Sequence, residues 1–165
     1  MKKVTLISLL VLVALVATAL TVAAATPDKV YRAEMSGAPA GTQSTAMGIS
    51  MFVFSNDGKI LMNKTVVNGL DNTTMAHIHV ASTPGGNGPI VLWLYPNAAP
   101  PILISGVFNG LLGGRTSTEA DLTGAAGITT FEALRTAIEE GRAYVNVHTT
   151  LFPGGEIRGD IHLLP

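Results

Sequence analysis

The feature that most constrains this chain is the two-residue alternation of its apolar positions, in short segments closed off by turn residues. Met47, Ile49, Met51 and Val53 alternate with Gly48, Ser50 and Phe52. In Tyr144–His148 the valines Val145 and Val147 fall on one side and Tyr144, Asn146 and His148 on the other. In Glu156–His162 the isoleucines Ile157 and Ile161 oppose Glu156, Arg158, Asp160 and His162. A period of two is that of a strand with one face on a core, because successive side chains point to opposite faces. Strands are therefore expected over 29–35, 47–53, 60–67, 75–80, 90–95, 102–108, 143–149 and 156–163. Asn56-Asp57-Gly58, the run Pro84–Pro89, the run Pro96–Pro101 and Pro153-Gly154-Gly155 separate them and suit turns. Gly106–Gly127 is too glycine-rich to assign.

One segment follows the helical period. Phe131, Leu134 and Ile138 share a face, Thr129 and Glu132 have capping-box spacing, and Gly141 suits the end, so a short helix is expected near 130–140. Regularly spaced strands with turn signals and one helix define an all-β, antiparallel sandwich or barrel.

The first 25 residues follow other rules. Lys2 and Lys3 precede an uncharged run from Val4 to Ala25 that ends in Val22-Ala23-Ala24-Ala25. A basic start, an apolar stretch and a small-residue end describe a secretory signal peptide. The alternative is an uncleaved N-terminal membrane anchor, since the run approaches the ~20 residues that span a bilayer. Residues 26–165 are then one exported domain, secreted, periplasmic or held at the cell surface, and it meets a membrane only if the segment stays attached. Lys2 and Lys3 are two of the ten basic residues, so their removal takes the net charge from −1 to −3. Nothing in that balance favours nucleic acid. The chain has no cysteine, which excludes disulfides, thiolate metal sites and thiol nucleophiles together.

The chemistry on offer is histidine chemistry. His77 and His79 are two apart on one strand and so share a face. His148 and His162 stand on the polar side of two later strands, which suggests a polar outer face carrying all four. Neutral imidazoles suit copper and zinc. His77, His79 and His148 are the candidate metal ligands, with His162 as an additional candidate and copper as the candidate ion. The bland alternative is a set of hydrogen-bonded surface groups. Glu156 and Asp160 fit a charge ladder around Arg158 better than an acid–base pair. No Gly-x-Ser-x-Gly elbow or phosphate loop is present. Asn63-Lys64-Thr65 and Asn72-Thr73-Thr74 match the glycosylation acceptor pattern.

Four stretches carry a resemblance: Ala76-His77-Ile78-His79, then Asn87-Gly88-Pro89-Ile90-Val91, then Gly141–Thr149, then Pro153–Gly159. In order and spacing they closely resemble the CHRD domain family, named after chordin, and the likeness extends over roughly 30–163. The resemblance implies an immunoglobulin-like Greek-key sandwich or barrel and little about activity. The cysteine-rich modules of chordin are absent, so its growth-factor antagonism is not carried over. A more distant likeness is to copper,zinc superoxide dismutases. It implies His77, His79 and His148 as copper ligands and Arg158 as a guide for an anion, with Asn146, Glu156 or His162 as supporting groups. That family's disulfide and its metal-bridging histidine have no counterpart here. Two expectations follow. The first is a non-catalytic binding or structural module for an extracellular ligand or surface component, in which Asn146, Glu156 and Arg158 support strand pairing. The second is a copper-binding protein with dismutase-like redox activity.

Overall fold

The computed structural model describes residues 29–165. The expected signal peptide or anchor over 1–25 lies outside the described residues. No helix among those described is long and apolar enough to cross a membrane.

Among the described residues seven strands form one sheet: β1 (Val30–Ser36), β2 (Met47–Phe54), β3 (Ile60–Val80), β4 (Ile90–Tyr95), β5 (Ile104–Thr118), β6 (Ala143–Thr149) and β7 (Ile157–Leu163). A one-turn helix α1 (Gly37–Ala40) follows β1, and helix α2 (Phe131–Glu139) precedes β6. The order β2-β1-β7-β6-β3, together with pairing of β2 to β3, closes five antiparallel strands into a barrel, and β4 and β5 pair only with β3. The expected all-β antiparallel class is present as a closed barrel with two additional strands. The sheet closes on itself and does not divide into the two facing layers of a sandwich.

Closure depends on the length of β3. The sequence suggests two strands, 60–67 and 75–80, but they form one strand of 21 residues. Its first half pairs with β2 and β5, and its second half with β4 and β6. Gly69 at φ +77 and Asn72 at φ +53 interrupt the pairing to β5 without ending the strand. That local irregularity reads as a break when the sequence is taken alone. β5 runs through the glycine-rich stretch left unassigned, with Gly113 and Gly114 opposite Thr65 and Lys64.

The alternation holds on β2 but with its faces reversed from the expected ones: Met47 and Ile49 are exposed, while Gly48, Ser50 and Phe52 are buried, because the large rings of Phe52 and Phe54 share that phase. Leu61, Ile78, Val145, Val147, Ile157 and Ile161 complete the barrel interior. Helix α2 adds Phe131, Leu134 and Ile138 to this core. Its cap is Thr130, one residue later than the expected Thr129, and the Thr130 side chain accepts from the Ala133 N–H at 3.2 Å. Gly141 ends the helix at φ +71, donating to the Ile138 carbonyl. Of the glycosylation candidates, Asn63 is buried and its side chain donates to the Arg115 carbonyl. Folding therefore withdraws that amide from any modifying enzyme.

Candidate metal centre

The polar face of β3 and β6 is not exposed. All seven residues of β6 are buried, and His77, His79 and His148 are 0, 8 and 5% exposed. Alternation places Ile78, Val145 and Val147 inside the barrel and the histidines on its outer wall. The loops 84–89 and 150–156 then cover that wall. The expectation of an outer polar face is right in direction and wrong in exposure, because alternation fixes which side a residue faces and not what is laid over it.

Antiparallel pairing brings the histidines together. His77 lies opposite Asn146, His79 opposite Tyr144, and Met75 opposite His148. His148 is thus the diagonal neighbour of His77, a separation that ring side chains span. His77, His79 and His148 each offer a ring nitrogen, and these three atoms lie within 4.8 Å of one another. His162 does not join them. It lies on β7 opposite Arg32 and is exposed.

The protonation pattern follows from the hydrogen bonds. His79 Nδ1 is 2.9 Å from the Gly88 carbonyl oxygen, and His148 Nδ1 is 2.9 Å from that of Pro153. A carbonyl only accepts, so both Nδ1 atoms carry a proton and both Nε2 atoms present lone pairs. His77 Nδ1 lies 3.3 Å from His148 Nε2 and donates to it. Nε2 of His77 and of His79 are buried without a partner. Two acceptor nitrogens withheld from water, beside a third that only His77 satisfies, are costly as they stand and are the kind of group a cation satisfies.

Burial keeps the rings neutral. It pushes the pKa of His77 down to about 3, helped by the neighbouring His148 and His79. Burial likewise takes His79 down to about 4 against the opposing effect of the Gly88 hydrogen bond, and it lowers His148. Neutral imidazole is the form that binds metal. Trp93 packs edge-on against His77 with ring centres 4.2 Å apart, and Tyr144 stacks on His79 at 5.0 Å with planes 8° apart.

The three supporting candidates go to different places. Asn146 donates from Nδ2 to the Gly154 carbonyl at 3.0 Å. A Cβ at Gly155 would sit 2.2 Å from the Asn146 amide, so only glycine lets this loop close over β6. Glu156 is buried and accepts from Ser44 at 2.6 Å and Thr149 at 2.7 Å, tying the segment after α1 to β6. Arg158 donates to Asn87 Oδ1 and to the Gly86 carbonyl, both at 2.7 Å, and lies 3.5 Å over the Tyr144 ring. It does not pair with Glu156, and its nearest acid is Asp160 at 3.8 Å. The residues that sequence reasoning missed are Gly88 and Pro153, which act through backbone carbonyls and so leave no side-chain signature.

A mostly β barrel carrying a buried histidine triad on its wall is the class that the fold and the site define. The family model for the CHRD domain matches residues 31–161, and the chain belongs to that family. No curated protein and no solved structure shows a significant match.

Proposed function

We propose that this chain is an exported, non-catalytic metal-binding domain that holds one copper ion on His77, His79 and His148. The observation that carries the reading is the convergence of three neutral imidazoles whose donor nitrogens lie within 4.8 Å, two of them fixed in tautomer by backbone carbonyls. Ligating histidines characteristically donate their second ring N–H to such an acceptor. The donor set contains nitrogen only, which suits copper, and divalent copper outranks zinc at nitrogen sites. Structural zinc prefers four ligands, and the group supplies three. The ion would find the three rings in place, would displace the hydrogen bond between His77 and His148, and would have its desolvation offset by nitrogens already deprived of water.

Of the two expectations, the triad favours the copper protein over a module for an extracellular ligand or surface component. Dismutase-like redox chemistry is the less favoured form, because Arg158 is committed to a loop and flanked by Asp160. Export rests on the basic, apolar and small-residue order of the first 25 residues. An immunoglobulin-like Greek-key kinship of the dismutase kind is part of the proposal, supported by the antiparallel barrel and the His-x-His strand. Copper loading followed by desalting and elemental analysis tests the function. One copper per chain is expected, falling below 0.2 (about a fivefold loss) in H77A, H79A and H148A and unchanged in H162A. Retention that ignores all three substitutions would overturn it.

A further inference from the structure

Arg158 sits two strands from His79 and touches no histidine by hydrogen bond, yet its side-chain hydrogen bonds and its stacking contact lead there. Its two guanidinium nitrogens grip Asn87 and Gly86 in the loop 84–89. Its flat face covers Tyr144, which stacks on the His79 ring and whose hydroxyl accepts from the Gly88 N–H at 3.1 Å and lies 3.5 Å from the Gly88 carbonyl oxygen. The carbonyl of the same Gly88 accepts the His79 Nδ1 proton. Gly88 itself is pressed against β3, where a Cβ would come within 1.9 Å of the Val80 carbonyl oxygen. The loop thus has one seat: Tyr144 holds Gly88, the Val80 N–H donates to the Pro89 carbonyl, and Arg158 holds Gly86 and Asn87 while its flat face backs Tyr144.

We infer that Arg158 is a positioning residue that selects the metal-binding tautomer of His79 by clamping the Gly88 carbonyl against His79 Nδ1. The inference rests on the copper reading for its purpose and on the hydrogen-bond geometry for its substance. A fixed Gly88 carbonyl forces the proton onto Nδ1 and leaves Nε2 free for the ion. A loosened carbonyl lets the proton redistribute, and the ligand is then offered only part of the time. The grip needs a planar, two-pronged donor that also stacks. Lysine supplies the charge without the fork or the flat face.

Long-range proton–nitrogen NMR of 15N-labelled, metal-free protein at pH 7.5 reads each imidazole tautomer directly. In the wild type, His79 and His148 are both expected as Nδ1–H. In R158K, His79 is expected to become a mixture while His148, held by Pro153, stays Nδ1–H. N87A removes one prong with Arg158 still stacked, and is expected to shift His79 in the same direction by less. It covers the case in which R158K does not fold. D57N, at an exposed carboxylate in the turn between β2 and β3, is expected to leave both rings unchanged. In a copper competition titration R158K should bind roughly 10–100-fold more weakly than wild type, the range for loss of an outer hydrogen-bond partner. A pure Nδ1–H His79 in R158K, or in N87A should R158K not fold, would overturn the inference. Wild-type protein that binds no copper would instead remove the metal reading and leave the tautomer result to be judged by itself.

Discussion

Acidification to pH 5 should remove a large part of the stability of the metal-free domain, and histidines rather than carboxylates should be the cause. The folded-state pKa values of His77 and His79 are lowered to about 3 and about 4 from an ordinary 6.5. Groups depressed in this way contribute stability that is present above pH 6.5 and is lost as the pH falls toward the folded values, because the unfolded chain takes up protons that the folded chain refuses. At pH 5 each histidine of the unfolded chain is 1.5 units below its pKa (6.5), and at ~1.4 kcal/mol per unit that costs about 2 kcal/mol per residue. The figure depends little on the folded values, since both lie below pH 5. The two together remove about 4 kcal/mol, with His148 acting in the same direction, from a total of about 5–15 kcal/mol for a domain of this kind. Urea unfolding followed through Trp93, the only tryptophan, measures this in the presence of a chelator. With a slope of about 2 kcal/mol/M the midpoint should fall by about 2 M between pH 7.5 and 5. The double variant H77Q/H79Q should lose most of that dependence. Asp57, Asp121 and Glu139 are also lowered, mainly by hydrogen bonds from Ser55, the Thr118 backbone and Tyr31, so their contributions fade only at still lower pH. A midpoint that stays flat from pH 7.5 to 5, or a slope that survives in H77Q/H79Q, would refute the reasoning.

Three further outcomes follow from the packing. Gly88→Ala should cost about 2–3 kcal/mol in urea unfolding and weaken copper binding as well, because its methyl would meet the Val80 carbonyl oxygen at 1.9 Å. Ile78→Ala, on the barrel side of the same strand and 0% exposed, should cost about 2–5 kcal/mol yet keep one copper per chain under native conditions. Thr130→Ala should lose about 1 kcal/mol with the cap of α2. Thr129→Ala should stay within about 0.5 kcal/mol in the same thermal melts.

Local pattern carried much of this structure. The bounds of β4 and β6 and the apolar face of α2 were legible because alternation and helical period are properties of neighbouring residues. The triad was legible as three residues on polar faces. Its assembly was not, because it needs β3 to continue through Gly69 and Asn72 and then pair with β6, some 70 residues away. His162 shows the same limit from the other side. Its alternation matches that of the other histidines, but β7 lies beyond β6, and the ring ends up opposite Arg32. Arg158 looked like a member of a charge ladder because its acidic neighbours in sequence are visible. Asp160 does lie 3.8 Å from it, but its closer partners, Asn87, Gly86 and Tyr144, are brought to it only by the barrel and its covering loop.

Copper K-edge X-ray absorption of the loaded protein tests the central claim most directly, since it reports the ligands around the ion in either oxidation state. The account predicts a shell of three nitrogen scatterers with the multiple-scattering pattern of imidazole, reduced in H77A, H79A and H148A and unchanged in H162A. A shell dominated by non-imidazole oxygen, or an imidazole shell that persists when these three histidines are replaced, would contradict it.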